Sequence, residues 1–184
     1  MSNLFYQNME ECPFCGIANK KIPSLVVYED DNFMAILDIR PANKGHTILF
    51  PKKHKTSIFD LNNSETNKIF YIAKQLIKNI KATTNCDGVN LVYSIGEAAG
   101  QRVPHMIIHI IPRNKGDKVA ITWEPQKISE EEFKKIAEEL LKANKNISEK
   151  VIEEKKEKII TEEELKKIKP AEIIEIEPRE PKYW

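Results

Sequence analysis

The run VPHMIIHIIP at residues 103–112 constrains the fold of this chain more than any other feature. It follows a Gly-containing loop, GEAAGQ at 96–101, and it is rich in isoleucine, which favours extended strands. Because side chains alternate across a strand, we expect the run to have two distinct faces. One face would carry His105, Ile107, His109 and Ile111, and the other would carry Met106, Ile108 and Ile110. The run therefore predicts a strand with two histidines on the same side.

Four further strands and two helices are predicted around this run. Residues 24–40 predict two strands joined by a turn at 29–32, and the segments 46–51 and 88–95 predict one strand each. Apolar residues recur at helical spacing from Ile69 to Ile80 in a helix that Ser64 should cap, and Ser129 with Glu132 forms a capping box for a second helix. Short turns between strands, with helices on one side, predict an α+β domain with a five-stranded antiparallel sheet and two main helices.

The composition changes from residue 146 onward. Charged residues make up 31 % of the chain, and this last stretch is dense in glutamate and lysine. It also contains a second capping box at Thr161 and Glu164 and an alternating run at 172–177. We therefore expect a domain over 1–145 and a charged tail over 146–184, which is either a helix plus an extended arm or largely disordered.

The overall charge and the cysteines limit the classes of function. A net charge of +1 does not favour a nucleic-acid or anionic-membrane partner, and no apolar run approaches the ~20 residues of a membrane span. Residues 1–11 lack the basic start and apolar stretch of a signal peptide, so we expect a cytoplasmic protein. Cys12, Cys15 and Cys86 form an odd set, which argues against a disulfide framework and for a metal clamp.

The C-P-F-C motif at 12–15 is the strongest metal-binding signal. A loop of this spacing can present two thiolates to one metal ion, and structural zinc needs two further nitrogen or sulfur ligands. His54 and His105 can supply them. The alternatives are a chance pair of cysteines and a redox pair, although a redox C-x-x-C is expected in a parallel βαβ unit, which this sequence does not predict.

The pair His105 and His109 also suggests an anion site. Backbone N–H groups near Gly96 and Gly100 could approach a phosphate closely, and the imidazoles could donate to its oxygens. The alternative is that both histidines are hydrogen-bonded residues of the sheet without a ligand. The residues alone leave these two interpretations open.

The segment AGQRVPHMIIHIIPR at 99–113 resembles the signature of the histidine triad (HIT) family, in which three histidines alternate with apolar residues. Further motifs match the family in order and spacing, namely CPFCGI at 12–17, VYED at 27–30, LDIRP at 37–41, KGHTIL at 44–49 and PKKH at 51–54. The resemblance covers about residues 11–125. It implies a dimer in which two five-stranded sheets form a continuous ten-stranded sheet, and a site for a purine nucleotide.

The resemblance also implies roles for individual residues. Asp38 would accept hydrogen bonds from the ribose hydroxyls, and His46 would lie near the phosphate. The base pocket would be lined by Phe14, Ile17, Ile36, Leu37 and Ile39, and the α-phosphate would be surrounded by Ser94, Gly100, Gln101 and His109. In the zinc-containing branch of the family the metal ligands correspond to Cys12, Cys15, His54 and His105, which implies a structural zinc ion.

The chain departs from the family pattern at the position that carries the chemistry. Intact members use the middle histidine of the three as a nucleophile that forms a nucleotidyl-histidine, and this chain has Ile107 there. His109 lies two residues further, ~6.5–7 Å along a strand, whereas attack needs reacting atoms ~3–3.5 Å apart. In addition, Ser94 stands where an amide is usual. Arg102, which could grip phosphate oxygens or could be an exposed loop residue, replaces a hydroxyl or acidic residue.

These features support three functional hypotheses. The first, which we favour, is a purine nucleotide-binding protein of the AMP or GMP type with impaired or absent nucleotidyl hydrolase activity. The second is an active hydrolase or nucleotidyl transferase that acts on phosphoramidates or dinucleoside polyphosphates through His109 or a directly positioned water. The third is a zinc-stabilised interaction module that binds a protein partner through its tail. The apolar residues of the tail would contact either that partner or the chain's own dimer, and they are Ile173, Ile174, Ile176, Tyr183 and Trp184.

Overall fold

The computed structural model of the 184-residue chain describes residues 12–145 and residue 147. One compact unit ends at Thr122, and a second begins at Trp123. The N-terminal segment, the capping box at 161–164 and the alternating run at 172–177 lie outside the described residues. The expected boundary between a domain and a charged tail at residue 146 therefore stays a prediction.

Five strands form one sheet in the first unit. They are β1 (Val26–Glu29), β2 (Phe33–Leu37), β3 (Thr47–Pro51), β4 (Gly88–Tyr93) and β5 (Ile108–Arg113). Their order across the sheet is β1-β2-β3-β5-β4, and each neighbouring pair is antiparallel. The prediction of an α+β fold with a five-stranded antiparallel sheet is confirmed.

The turn between β1 and β2 is organised by Asp30. Its Oδ1 accepts hydrogen bonds from the N–H groups of Asn32 and Phe33 at 2.8 Å, and its Oδ2 accepts one from the Tyr28 hydroxyl at 2.7 Å. Burial raises the pKa of Asp30, but these hydrogen bonds and the ammonium group of Lys68 outweigh burial and bring the pKa to about 2. The ionised carboxylate therefore stabilises the turn at every pH above this value.

The long helix α2 (Asn63–Thr84) covers one face of the sheet. Its N-cap is Asn62, so the prediction of Ser64 as the cap is wrong. The Asn62 Oδ1 accepts from the N–H of Glu65 at 2.9 Å, and the Glu65 carboxylate accepts from the N–H of Asn62 at 2.9 Å. This reciprocal pair satisfies two backbone donors that Ser64, already inside the first turn, cannot reach. The apolar face of α2 buries Ile69, Ile72, Ala73 and Leu76, as the spacing predicts.

The strand predicted at 103–112 begins later, at Ile108, so its expected first half is wrong. The N–H of Met106 donates to the carbonyl of Lys55 at 2.6 Å, and the side chain of His105 reaches the carbonyl of Pro51. These bonds draw residues 105 and 106 towards the end of β3 and out of the sheet ladder. The alternation of faces nevertheless holds, because Met106, Ile108 and Ile110 pack beneath α2 while Ile107 joins a separate cluster.

That second cluster lies against the short helix α1 (Pro13–Ala18), which the sequence did not predict. Its buried members come from α1 with its N-cap and from alternate positions of β2 and β3, namely Cys12, Phe14, Ala18, Met34, Ile36, Ile48 and Phe50. Since α2 packs on the remaining side chains of the same strands, the sheet separates two hydrophobic layers.

The second unit contains helix α3 (Glu130–Ala143). The capping box predicted at Ser129 and Glu132 is confirmed, with the hydroxyl of Ser129 accepting from the N–H of Glu132 at 3.2 Å. None of the helices in the described part of the chain combines the length and apolar character that a membrane crossing requires.

Candidate functional site

Two cysteines and two histidines meet at the N-terminal end of α1. Cys12 is the N-cap of α1 and Cys15 lies within it, whereas His54 follows β3 and His105 precedes β5. The Sγ atom of Cys12 is 3.3 Å from Nδ1 of His105, and the Sγ atom of Cys15 is 3.2 Å from Nδ1 of His54. One ligand atom from each residue lies within 4.8 Å of all the others. The four residues that the C-x-x-C motif and the two histidines predicted as ligands are thus brought together.

The protonation of His105 suits a metal ligand. Its Nε2 lies 2.8 Å from the carbonyl oxygen of Pro51, which can only accept, so Nε2 carries the proton and the lone pair is on Nδ1. Nδ1 faces the sulfur atoms of Cys12 and Cys15. Burial lowers the pKa of His105 to about 4, which keeps the ring neutral. A neutral imidazole with its second nitrogen bonded to a carbonyl is the usual state of a metal-bound histidine.

The two thiols also favour a cation between them. Burial, together with the neighbouring Cys12, raises the pKa of Cys15 to about 11. A thiol with a raised pKa keeps its proton unless a positive charge compensates the thiolate. Two sulfur and two nitrogen donors form the ligand set of structural zinc sites. The cluster could therefore hold zinc.

A second histidine pair lies at the junction of β3 and β5. Nδ1 of His46 accepts a hydrogen bond from the N–H of Ala42 at 3.1 Å, so the proton of the His46 ring is on Nε2. That Nε2 lies 3.0 Å from Nδ1 of His109, which must accept. The proton of His109 is consequently on its Nε2, an atom without a hydrogen-bond partner among the described residues. Backbone geometry at Ala42 therefore determines the tautomer of both rings.

Both imidazoles of this pair are neutral near pH 7. Burial lowers the pKa of His46 and that of His109, and the carboxylate of Asp38 offsets only part of this effect. The Asp38 Oδ2 is 3.6 Å from Nδ1 of His46, which would be an ion pair if His46 were charged. Because the N–H of Ala42 already points at that lone pair, we regard the contact as a neighbouring charge and not as a hydrogen bond.

A cavity of about 660 Å³ opens beside this histidine pair. All eleven residues predicted to bind a nucleotide line it, and so does Ile107. The eleven are Phe14, Ile17, Ile36, Leu37, Asp38, Ile39, Ser94, Gly100, Gln101, Arg102 and His109. His46 contacts the cavity wall through His109. A volume of this size is within the range of small-molecule sites.

The sequence reasoning missed several residues of the cavity wall. The most informative is Arg40, which lies two residues after Asp38 and whose N–H donates to Asp38 Oδ1 at 2.7 Å. The others are Pro13, Ile22, Pro23, Ser24, Ile48 and Val103. Arg40 lies in the LDIRP motif. Its positive charge, two residues after the predicted ribose-binding Asp38, was the sequence feature that could have identified it as a site residue.

Gln101 lines the cavity, and its amide also braces the loop that carries Gly96 and Gly100. The side-chain Oε1 accepts from the N–H of Gly96 at 2.8 Å. The Nε2 donates to the carbonyls of Thr56 and Val103 at 2.9 and 3.2 Å. Gln101 therefore ties the Gly-containing loop to the segment that follows His54.

A family model described as "HIT domain" matches residues 19–116, more than half of the chain. The chain belongs to the HIT family. An adenosine 5'-monophosphoramidase of Schizosaccharomyces pombe is 32 % identical to this HIT protein over 130 residues, which cover 70 % of this chain and 95 % of the relative.

Solved structures of HIT proteins share the fold. A HIT family member from Bacillus subtilis matches with a TM-score of 0.67 and 34 % identity, covering 72 % of this chain and 96 % of that one. A zinc-bound histidine triad protein from Mycobacterium smegmatis matches with a TM-score of 0.57 and 33 % identity, covering 63 % of this chain and 84 % of that one. The predicted membership of the HIT family and the α+β HIT fold are therefore confirmed.

Proposed function

We propose that this HIT protein binds a purine nucleotide in the cavity and hydrolyses it poorly, because Ile107 stands at the position of the family's nucleophile. The observation that carries the proposal is the composition of one wall. There the side chain of Ile107 and the imidazole of His109 both line the cavity, next to the loop that contains Gly100.

The cavity offers matching surfaces for the parts of a nucleotide. The apolar side chains from α1 and β2, including Phe14 and Ile36, suit a purine ring. Asp38 keeps Oδ2 for the ribose hydroxyls, because its Oδ1 already accepts from the N–H of Arg40. The α-phosphate would receive the Nε2–H of His109 and backbone N–H groups near Gly100, as the resemblance implies.

Chemistry at the α-phosphorus is disfavoured for two independent reasons. The hydrocarbon side chain of Ile107 has no lone pair and cannot form a nucleotidyl intermediate. His109 cannot replace it readily, since its Nδ1 accepts from His46 and its Nε2 carries the proton. Moving that proton to Nδ1 would require His46 to protonate its own Nδ1, against the N–H of Ala42. Ground-state binding remains, and nucleophilic attack is lost.

The four predicted zinc ligands have a structural role in this proposal. A bound zinc ion would join α1, the segment after β3 and the loop before β5 through Cys12, Cys15, His54 and His105. Helix α1 also contributes Phe14 to the cavity wall, so the zinc-bound position of α1 would set the width of the base pocket. The zinc-bound Mycobacterium smegmatis relative supports the assignment.

A homodimer is part of the same proposal. β4 is an edge strand of the sheet and Leu91 on it is 40 % exposed. Pairing of β4 with a second copy would give the ten-stranded sheet that the family resemblance implies, and it would cover the unpaired edge. Light scattering in solution should give twice the chain mass.

Calorimetric titration with AMP and GMP tests binding, and the substitution Ile107→His tests the loss of chemistry. The wild type should bind AMP and release little product from an adenosine phosphoramidate. I107H should gain turnover by at least tenfold and form a trappable nucleotidyl-enzyme, whereas the control I107L should remain inactive. Absence of binding at millimolar nucleotide would refute the proposal.

An active hydrolase is the second candidate, favoured by the similarity to the Schizosaccharomyces pombe phosphoramidase. This candidate requires rapid release of AMP from the phosphoramidate by the wild type. It also requires that I107H changes the rate by less than about twofold. Both results together would replace the binding role with a catalytic one.

A further inference from the structure

We propose that Arg40 and Arg102 form a second anion site at the mouth of the cavity, so that the preferred ligand carries a second phosphoryl group. This inference rests on the proposed nucleotide-binding function and specifies its ligand. Both residues line the cavity and come from different loops, Arg40 after β2 and Arg102 after the Gly-containing loop.

The hydrogen bonding of the arginines separates them into two kinds. Arg113 is structural: its guanidinium donates to the carboxylate of Asp117, to Asn90 and to the carbonyl of Val119. By contrast, the side chains of Arg40 and Arg102 make no hydrogen bond or ion pair with any residue in the described part of the chain. Both are exposed, yet both belong to the cavity wall. Their donors are available to a ligand.

The charge of the cavity points in the same direction. Of the lining residues, only Asp38, Arg40 and Arg102 carry a full charge near pH 7, since burial lowers the pKa of His109. The wall therefore has one net positive charge before a ligand enters. The neutral imidazole pair can donate a hydrogen bond to the first phosphate but supplies no charge to it. Arginine binds phosphate oxygens through two parallel N–H groups, so two arginines can serve a second phosphoryl group.

The sequence neighbours of the two arginines indicate which parts of the ligand the second group would adjoin. Arg102 directly follows Gly100 and Gln101, beside the proposed α-phosphate, and Arg40 is two residues from the proposed ribose ligand Asp38. A second phosphoryl group between them would be either a β-phosphate or a phosphate on the ribose. Both present the same dianionic chemistry, and two ligands separate them: ADP and adenosine 3',5'-bisphosphate.

The test is calorimetric titration of the full chain, with zinc present, against AMP, ADP and adenosine 3',5'-bisphosphate at low salt. We expect at least one of the two bisphosphorylated ligands to bind tenfold or more tightly than AMP. In the double variant R40Q/R102Q this advantage, taken as the ratio of the AMP dissociation constant to that of the bisphosphorylated ligand, should fall below threefold. The control K53Q removes an exposed cation that is not part of the cavity wall and should leave the advantage intact.

The possible failures are distinguishable. If AMP binds but neither bisphosphorylated ligand binds more tightly, the second anion site is refuted and the proposed nucleotide-binding function stands. An advantage that survives in R40Q/R102Q would also refute the site. If no nucleotide binds the wild type, the proposed function fails and the second site falls with it. The dichroism spectrum of R40Q/R102Q should match that of the wild type, because neither guanidinium makes a hydrogen bond or ion pair with a described residue.

Discussion

Gln101 links the Gly-containing loop of the cavity to the segment that follows His54, and its removal should affect both stability and binding. The substitution Gln101→Ala deletes three hydrogen bonds, to the N–H of Gly96 and to the carbonyls of Thr56 and Val103. Thr56 lies two residues after the predicted ligand His54. The variant therefore releases the Gly-containing loop from the segment that the metal would hold.

The magnitude follows from the number and the exposure of these bonds. A hydrogen bond contributes about 0.5–1.5 kcal/mol net, and since all three are only partly buried, water can satisfy some of the released groups. We expect a loss of about 2 kcal/mol in the free energy of unfolding. With a denaturant dependence of about 2 kcal/mol/M, the urea midpoint should fall by about 1 M. Loss of the preformed loop should weaken AMP binding by about tenfold.

Urea unfolding followed by circular dichroism and calorimetric titration with AMP would measure the two effects. The control E97Q changes an exposed side chain of the same loop that is not part of the cavity wall, and both properties should remain as in the wild type. If Q101A weakens AMP binding without moving the urea midpoint, Gln101 is a direct ligand of the phosphate and its bracing role is refuted. An unchanged affinity with a lowered midpoint would refute the link to binding.

Three further predictions concern the metal, the turn at Asp30 and the core. Chelation of bound zinc should lower the melting temperature of the wild type by about 10 °C or more, because a metal at about 1,000 times its Kd stabilises the fold by about 4 kcal/mol. Calorimetric scans of the control variant C15S should show no response to the chelator. D30N should be about 2 kcal/mol less stable than the wild type at pH 7, as measured by urea unfolding. Because folding lowers the pKa of Asp30 to about 2, this difference in stability should disappear as the pH falls from about 4 to 2. L49A should cost about 2–5 kcal/mol in chemical unfolding because Leu49 is fully buried between β2 and β5, whereas L25A, at a position that is 71 % exposed, should change stability by less than about 0.5 kcal/mol.

Local patterns in the sequence were sufficient where neighbouring residues make the structure. The alternation at 105–111 predicted which side chains share a face of the chain, and the spacing from Ile69 to Leu76 predicted the buried face of α2. The choice between Asn62 and Ser64 as the cap could not be made from the sequence, because both residue types are good caps and only the side-chain geometry distinguishes them.

The start of β5 illustrates the limit of such patterns. Residues 103–107 have the composition of a strand, yet Met106 donates to Lys55 and His105 to Pro51. Both partners lie about fifty residues away in the sequence, so no local preference reports them. These tertiary hydrogen bonds, together with Pro104, which has no N–H to donate to a ladder, keep β5 from beginning before Ile108.

The sequence by itself determined the family, the four residues that could hold a metal and the hydrocarbon between two histidines at Ile107, because these depend on residue type and spacing. The tertiary structure alone decided the proton positions of His46 and His109, the bracing role of Gln101 and the place of Arg40 in the cavity wall. The physical reason is that a hydrogen bond or a shared cavity depends on the distance between atoms. Residues 46 and 109, which are 63 positions apart in the chain, come within 3.0 Å only when β3 pairs with β5.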